Sequence, residues 1–114
     1  MEQDELRCAI RELGGQEYGA VFLGTPSPMR TQTVNTVISH GKRAVPYLIT
    51  SLESSNLVEV GYSSYCLELL HADEGGEVAS RRLAEVSTGD LSLMEVRFAR
   101  AALDSYVKSV TSKK

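Results

Sequence analysis

Apolar residues recur at helical spacing along most of this chain, in short blocks separated by turns rich in glycine, serine and aspartate. Leu6, Ala9, Ile10 and Leu13 share one face of a helix predicted over residues 2–13, and Gly14-Gly15 stops it. The stretch 16–25 carries no helical period. Residues 20–23 have the composition of a strand, but a strand without a partner forms no sheet, so the expectation is an apolar plug over the end of the helical stack. Ser27-Pro28 predicts a new start: serine accepts from a free backbone N–H, and proline at the first helical position gives up a donor that would be orphaned anyway. That helix continues through Val34, Val37 and Ile38 to His40-Gly41.

A second helix follows over residues 42–53, with Ala44, Val45, Leu48, Ile49 and Leu52 as its buried stripe and Pro46 in its first turn. Asn56 and Glu59, three apart, predict a reciprocal cap at the start of a third helix, residues 57–71, with Val60, Leu67 and Leu70 inward. Asp73-Glu74-Gly75-Gly76 breaks it. A fourth helix spans 77–87 with Val78, Ala79, Leu83 and Val86 inward, and Thr88-Gly89-Asp90 turns into a last helix over 93–110. The final residues, Ser112-Lys113-Lys114, are expected to fray.

Two of these blocks match each other. Residues 58–70 (VEVGYSSYCLELL) and 94–106 (MEVRFARAALDSY) align at an offset of 36, pairing Glu59 with Glu95, Val60 with Val96, Tyr62 with Phe98 and Leu67 with Leu103. Ser92 and Glu95 repeat the Asn56/Glu59 capping arrangement, and Gly41 and Gly75 place the second helix of each pair in register. A period of this length marks stacked helical pairs, whose apolar faces are buried only against neighbours.

The run GKRAVPYLITSL over residues 41–52 resembles the second helix of a HEAT repeat, in the short bacterial subgroup associated with phycobilisome lyases. Residues 94–103, MEVRFARAAL, are similar to the first helix of that repeat. The earlier copy departs from the pattern: Gly61 stands where the family has arginine, and the fourth helix opens with Val78-Ala79-Ser80 in place of Ala-Val-Pro. The resemblance implies an all-α fold, a short right-handed superhelix of five to six helices, within a single domain. Residues 1–25 would form a first helix and capping segment, 26–110 the repeats, and 111–114 a frayed tail. It implies a scaffold or adaptor role in a bacterial protein. A few relatives act on bilin-carrying proteins, but no catalytic residue transfers to a position here.

With the stripe of the second helix buried, its opposite face presents Arg43 and Tyr47, and the equivalent helix presents Arg81 and Glu85, with Arg82 at the boundary. Tyr and Arg dominate interface energetics, so Arg43, Tyr47, Arg81 and Glu85 are the candidate partner-binding residues. The bland reading of each is a solvated helix surface. The last helix would carry Arg97, Arg100, Asp104 and Lys108 on its polar side.

Composition narrows the picture without changing it. The chain has 114 residues, 42% hydrophobic and 24% charged, which fits one globular domain. Its net charge of −3 argues against general affinity for nucleic acid, although Arg43, Arg81 and Arg82 could begin a basic face. The acidic N-terminus lacks the apolar core of a secretory signal, so a cytoplasmic protein is the default, with no membrane partner. Cys8 and Cys66 have no metal-type spacing and read as reduced thiols, Cys66 as a small core hydrophobe. His40 and His71 read as helix-end residues rather than metal ligands. Phosphate-binding, dinucleotide and nucleophile motifs are missing from the sequence, and no cofactor or catalytic residue is assigned. The functional expectation is a non-catalytic protein-binding module. Nucleic-acid binding and a lyase- or chaperone-like action on tetrapyrrole proteins remain as alternatives. An end-to-end homodimer that buries exposed stack ends also stays open.

Overall fold

The computed structural model describes residues 2–15, 21–22, 25–26 and 28–112. Helix α1 (Glu2–Glu12) turns Leu6, Ala9 and Ile10 inward, and a 3₁₀ turn at Leu13–Gly15 ends it with Leu13 fully buried. All four apolar positions expected of this helix are therefore core. Next, β1 (Val21–Phe22) pairs antiparallel with β2 (Thr25–Pro26), Val21 opposite Pro26 and Phe22 opposite Thr25. The apolar stretch does have a strand partner, which the sequence reading missed because two residues per strand are too few to show a period. Residues 16–20, Leu23 and Gly24, which belong to the expected plug, lie outside the described residues. β2 lies beside the last helix, whereas α1 packs on the helices that follow it, so the two N-terminal pieces have different neighbours.

Helix α2 (Gln32–Ser39) begins later than Ser27-Pro28 predicts. Thr31 is the cap: its Oγ1 accepts from the Val34 N–H at 3.1 Å. The backbone just before it is drawn elsewhere, since the Met29 N–H donates to the Tyr62 hydroxyl at 3.1 Å. Ser27 itself is outside the described residues. After α2, Gly41 takes φ 61°, the left-handed turn that glycine accepts without strain. A 3₁₀ turn at Gly41–Ala44 leads into α3 (Val45–Ser51), with Pro46 in the first turn as expected. Ala44, Val45, Leu48 and Leu52 are buried, while Ile49 is partly so.

Helix α4 (Leu57–Leu69) is capped by Asn56, whose Oδ1 accepts from the N–H groups of Val58 (3.0 Å) and Glu59 (3.3 Å). The expected reciprocal half is not made. The Asn56 N–H donates to Ser54 Oγ instead, and Glu59 takes a hydrogen bond from the Ser51 hydroxyl. Asn56 Nδ2 meanwhile donates to the Gly14 carbonyl at 3.3 Å, so one side chain ties the end of α1 to the start of α4. At the other end, the His71 N–H bonds to Glu68 O and the Ala72 N–H to Leu67 O, a Schellman closure. His71 occupies its left-handed position at φ 54°, where glycine is usual. This position is the counterpart of Gly41. Gly75, matched to Gly41 in the sequence, sits instead at the start of α5 with φ −88° and donates its N–H to the Tyr106 hydroxyl.

Helices α5 (Gly76–Ser87) and α6 (Met94–Ser112) complete the chain. Ser92 does not cap α6: its N–H and hydroxyl both donate to Asp90 Oδ1, at 2.9 and 2.6 Å. These bonds hold the Asp90 carboxyl below its ordinary value. Asp104 pairs with Lys108 at 2.9 Å rather than with Arg100.

The core forms around α4. This helix touches α1, α2, α3 and, most extensively, α6. Val60, Gly61, Tyr62, Ser63, Ser64, Cys66 and Leu67 are all buried, so it is enclosed on several sides rather than along one stripe. The Tyr62 and Phe98 rings lie 5.1 Å apart, in the two matching blocks. A Cβ on Gly61 would fall 2.3 Å from the Phe98 ring, which gives a packing reason for glycine where the HEAT pattern has arginine. Apart from the ribbon, the described chain is all-α and compact, with a radius of gyration of 12.9 Å. Among the described residues no helix is long and apolar enough to cross a membrane.

Candidate functional site

α1 and α3 both pack against α4 and against each other, and their outward edges leave an open groove of about 670 Å³ between them. Its apolar floor follows from the helix phases: Ile10 on α1 is itself a core position, and Pro46 and Tyr47 on α3 adjoin core positions. One wall carries Arg7 and Arg11, a single helical turn apart on α1. The Arg7 guanidinium lies over the Tyr47 ring, 5.4 Å from its centre, a stacking worth about 0.5–1 kcal/mol at an exposed site. Glu53 and Glu59 also line the groove.

Those two carboxylates are already engaged. Glu59 accepts from Ser51, and Glu53 is bridged by Arg81 of α5. Arg81 also holds Glu85 at 2.7 Å, and both acids favour its charged form, pushing its pKa up. Arg82 turns the other way. Its Nε donates to Leu52 O at 2.7 Å and its Nη2 to Ser54 O at 2.9 Å, closing the carbonyl end of α3. It also reaches Glu85 at 3.3 Å.

Three of the four sequence-predicted residues are thereby linked. Tyr47 lines the groove, Glu53 lines it and bonds Arg81, and Arg81 bonds Glu85. Arg43 is exposed on the turn before α3 and is not among the groove's lining residues. Arg7, Arg11, Glu53 and Glu59 are not among the residues the sequence singles out for binding; Arg7 and Arg11 enter the site because α1 packs beside α3. The available signal was the i, i+4 spacing of Arg7 and Arg11 on the polar side of α1. Arg82, expected near a basic boundary, gives two donors to backbone carbonyls, and Arg81 is paired with two acids while its side chain stays exposed.

Elsewhere, Cys66 is fully buried, and burial pushes its thiol up to about 12, opposed in part by the nearby Arg30 charge. It is held in the neutral, unreactive form. Cys8 is exposed, and both cysteines are free. A second open groove, about 540 Å³, runs between the start of α5 and the end of α6 and includes Asp73, Glu74 and Glu77. Among the described residues no cluster of three or more His, Cys, Asp or Glu side chains is placed to hold a metal. No protein-family model, no curated protein and no solved structure matches this chain.

Proposed function

We propose that this chain is a protein–protein interaction module that binds its partner across α3 and the adjoining edges of α1 and α5, without catalysing a reaction. The observation that carries this reading is the continuity from the groove to the bridge: Tyr47 and Glu53 line the groove, and Glu53 leads through Arg81 to Glu85. A half-buried aromatic ring with ordered arginine and carboxylate neighbours is the composition of an interface anchor, because little side-chain freedom is lost on binding. A HEAT-like stack is part of the proposal. Its support is that α2, α4 and α6 adjoin in order, with the two matching blocks, on α4 and α6, in contact.

Affinity capture with the wild-type chain beside a Tyr47→Ala, Arg81→Ala variant of equal helicity tests the face. The reading expects a partner retained by the first and lost by the second. A partner held equally by both would move the site off α3.

A further inference from the structure

Within that face the charges on the α1–α3 groove are unevenly used. Glu53 is bridged by Arg81, and Glu59 accepts from Ser51. Arg7 and Arg11 form no ion pair with a carboxylate among the described residues, and the Arg7 guanidinium stacks over the Tyr47 ring. The groove thus carries two cations without an ion-pair partner among the described residues above an apolar floor, while Glu53 is paired with Arg81 and Glu59 is hydrogen-bonded to Ser51.

We infer that the α1–α3 groove takes an extended acidic segment of a partner protein, with carboxylates at alternate positions meeting Arg7 and Arg11 and an apolar side chain set against Tyr47 and Ile10. This inference rests on the proposed binding face and names the chemistry of its partner. Spacing supports it. Residues four apart on a helix are separated by about 6 Å along the axis. Alternate side chains of an extended peptide leave the same face about 6.7 Å apart. Nucleic acid fits less well: a phosphate backbone needs several cations in a row, and this groove also contains Glu53 and Glu59. Arginine on both sites suits carboxylates, whose two oxygens match the planar guanidinium fork.

The test is titration of the ¹⁵N-labelled full chain with a blocked peptide, Gly-Glu-Leu-Glu-Leu-Gly, beside its lysine counterpart and a short single-stranded oligonucleotide. The inference expects amide shifts in residues 7–12 and 47–51 with the glutamate peptide alone. Arg7→Gln with Arg11→Gln should weaken that binding roughly tenfold, since two modest exposed ion pairs are lost together. Raising salt well above physiological strength should weaken it too. Both substitutions change exposed side chains, and an unchanged amide spectrum outside α1 would confirm the fold. No shifts with the glutamate peptide would overturn the inference, as would equal binding by the lysine peptide or by the double variant. Preferential binding of the oligonucleotide would overturn it in favour of a nucleic-acid site. Should the peptide fail while Tyr47→Ala with Arg81→Ala still loses a captured partner, the face stands and its acidic ligand does not.

Discussion

Helices α4 and α6 carry matching apolar residues but occupy different environments. Val60 and Val96, Tyr62 and Phe98, and Leu67 and Leu103 are buried in both. Between them the blocks diverge: Gly61 and Ser64 are buried in α4, where α6 has Arg97 and Arg100, while Ser63 and its match Ala99 are buried alike. Arg97 reaches back to the Leu91 carbonyl, and Arg100 is exposed. The shared phase records that both helices face a core. The positions between report how many sides are covered, and small residues there mark α4 as the enclosed one.

Exchanging residues between the blocks should break that difference most severely at Gly61. Gly61→Ala would push a methyl into Phe98 and cost about 1–3 kcal/mol by overpacking. Arg97→Gly at the matching position should cost only about 1 kcal/mol, from helix propensity. Urea unfolding of the two variants measures both. Equal losses would mean that α4 is not enclosed as described.

A second difference lies in what each helix does with a tyrosine hydroxyl. The Tyr62 hydroxyl fixes the segment before α2, while Tyr106 accepts from the Gly75 N–H at 3.2 Å and donates to the Ala72 carbonyl, clamping the α4–α5 turn. Tyr106→Phe leaves both backbone groups without this partner and should cost about 1–3 kcal/mol by denaturant unfolding. Burial pushes the Tyr106 phenol up to about 12 despite the Gly75 bond, and pushes the Cys66 thiol up to about 12. Both groups are neutral in the fold and ionise more readily once unfolded. Their contribution is whole below the ordinary thiol and phenol values, 9.0 and 10.0, and is lost as pH rises towards 12. The unfolding midpoint should therefore fall across that window, less steeply in Tyr106→Phe.

Much of this fold was legible in the sequence. The buried faces of α1 and α3 followed from apolar spacing, and Asn56 was correctly read as a cap, because these signals lie within one element. Signals that depend on a distant neighbour were not legible. Whether Glu59 would cap its own helix or meet Ser51 depended on where α3 ended, and Ser92 lost its capping role to Asp90 two residues away. The candidate site divides the same way. Tyr47, Arg81 and Glu85 followed from helix phase, whereas the Arg7–Arg11 wall required knowing that α1 packs beside α3. Likewise, the Gly41/Gly75 match concealed the true counterpart of Gly41, which is His71.

Two smaller exchanges sharpen the comparison. His71→Gly should stabilise the chain by about 1 kcal/mol, since glycine accepts the left-handed turn without a Cβ penalty, and Gly41→Ala should destabilise it by a similar amount. Opposite shifts in thermal midpoint are the expected result. Ser63, buried without a hydrogen-bond partner among the described residues, faces Ala99 in the alignment. Ser63→Ala should be neutral or stabilising by up to about 1 kcal/mol, because it removes a buried hydroxyl that gains nothing from the fold. A clear loss of stability would assign that hydroxyl a partner.

Amide hydrogen exchange of the full chain, alone and bound to a partner recovered by affinity capture, tests the binding face most directly. The account predicts that binding slows exchange in residues 7–13 and 47–53, with the later part of α6 unchanged. Protection confined to α6 and the acidic groove beside it, with α1 and α3 unaffected, would contradict it.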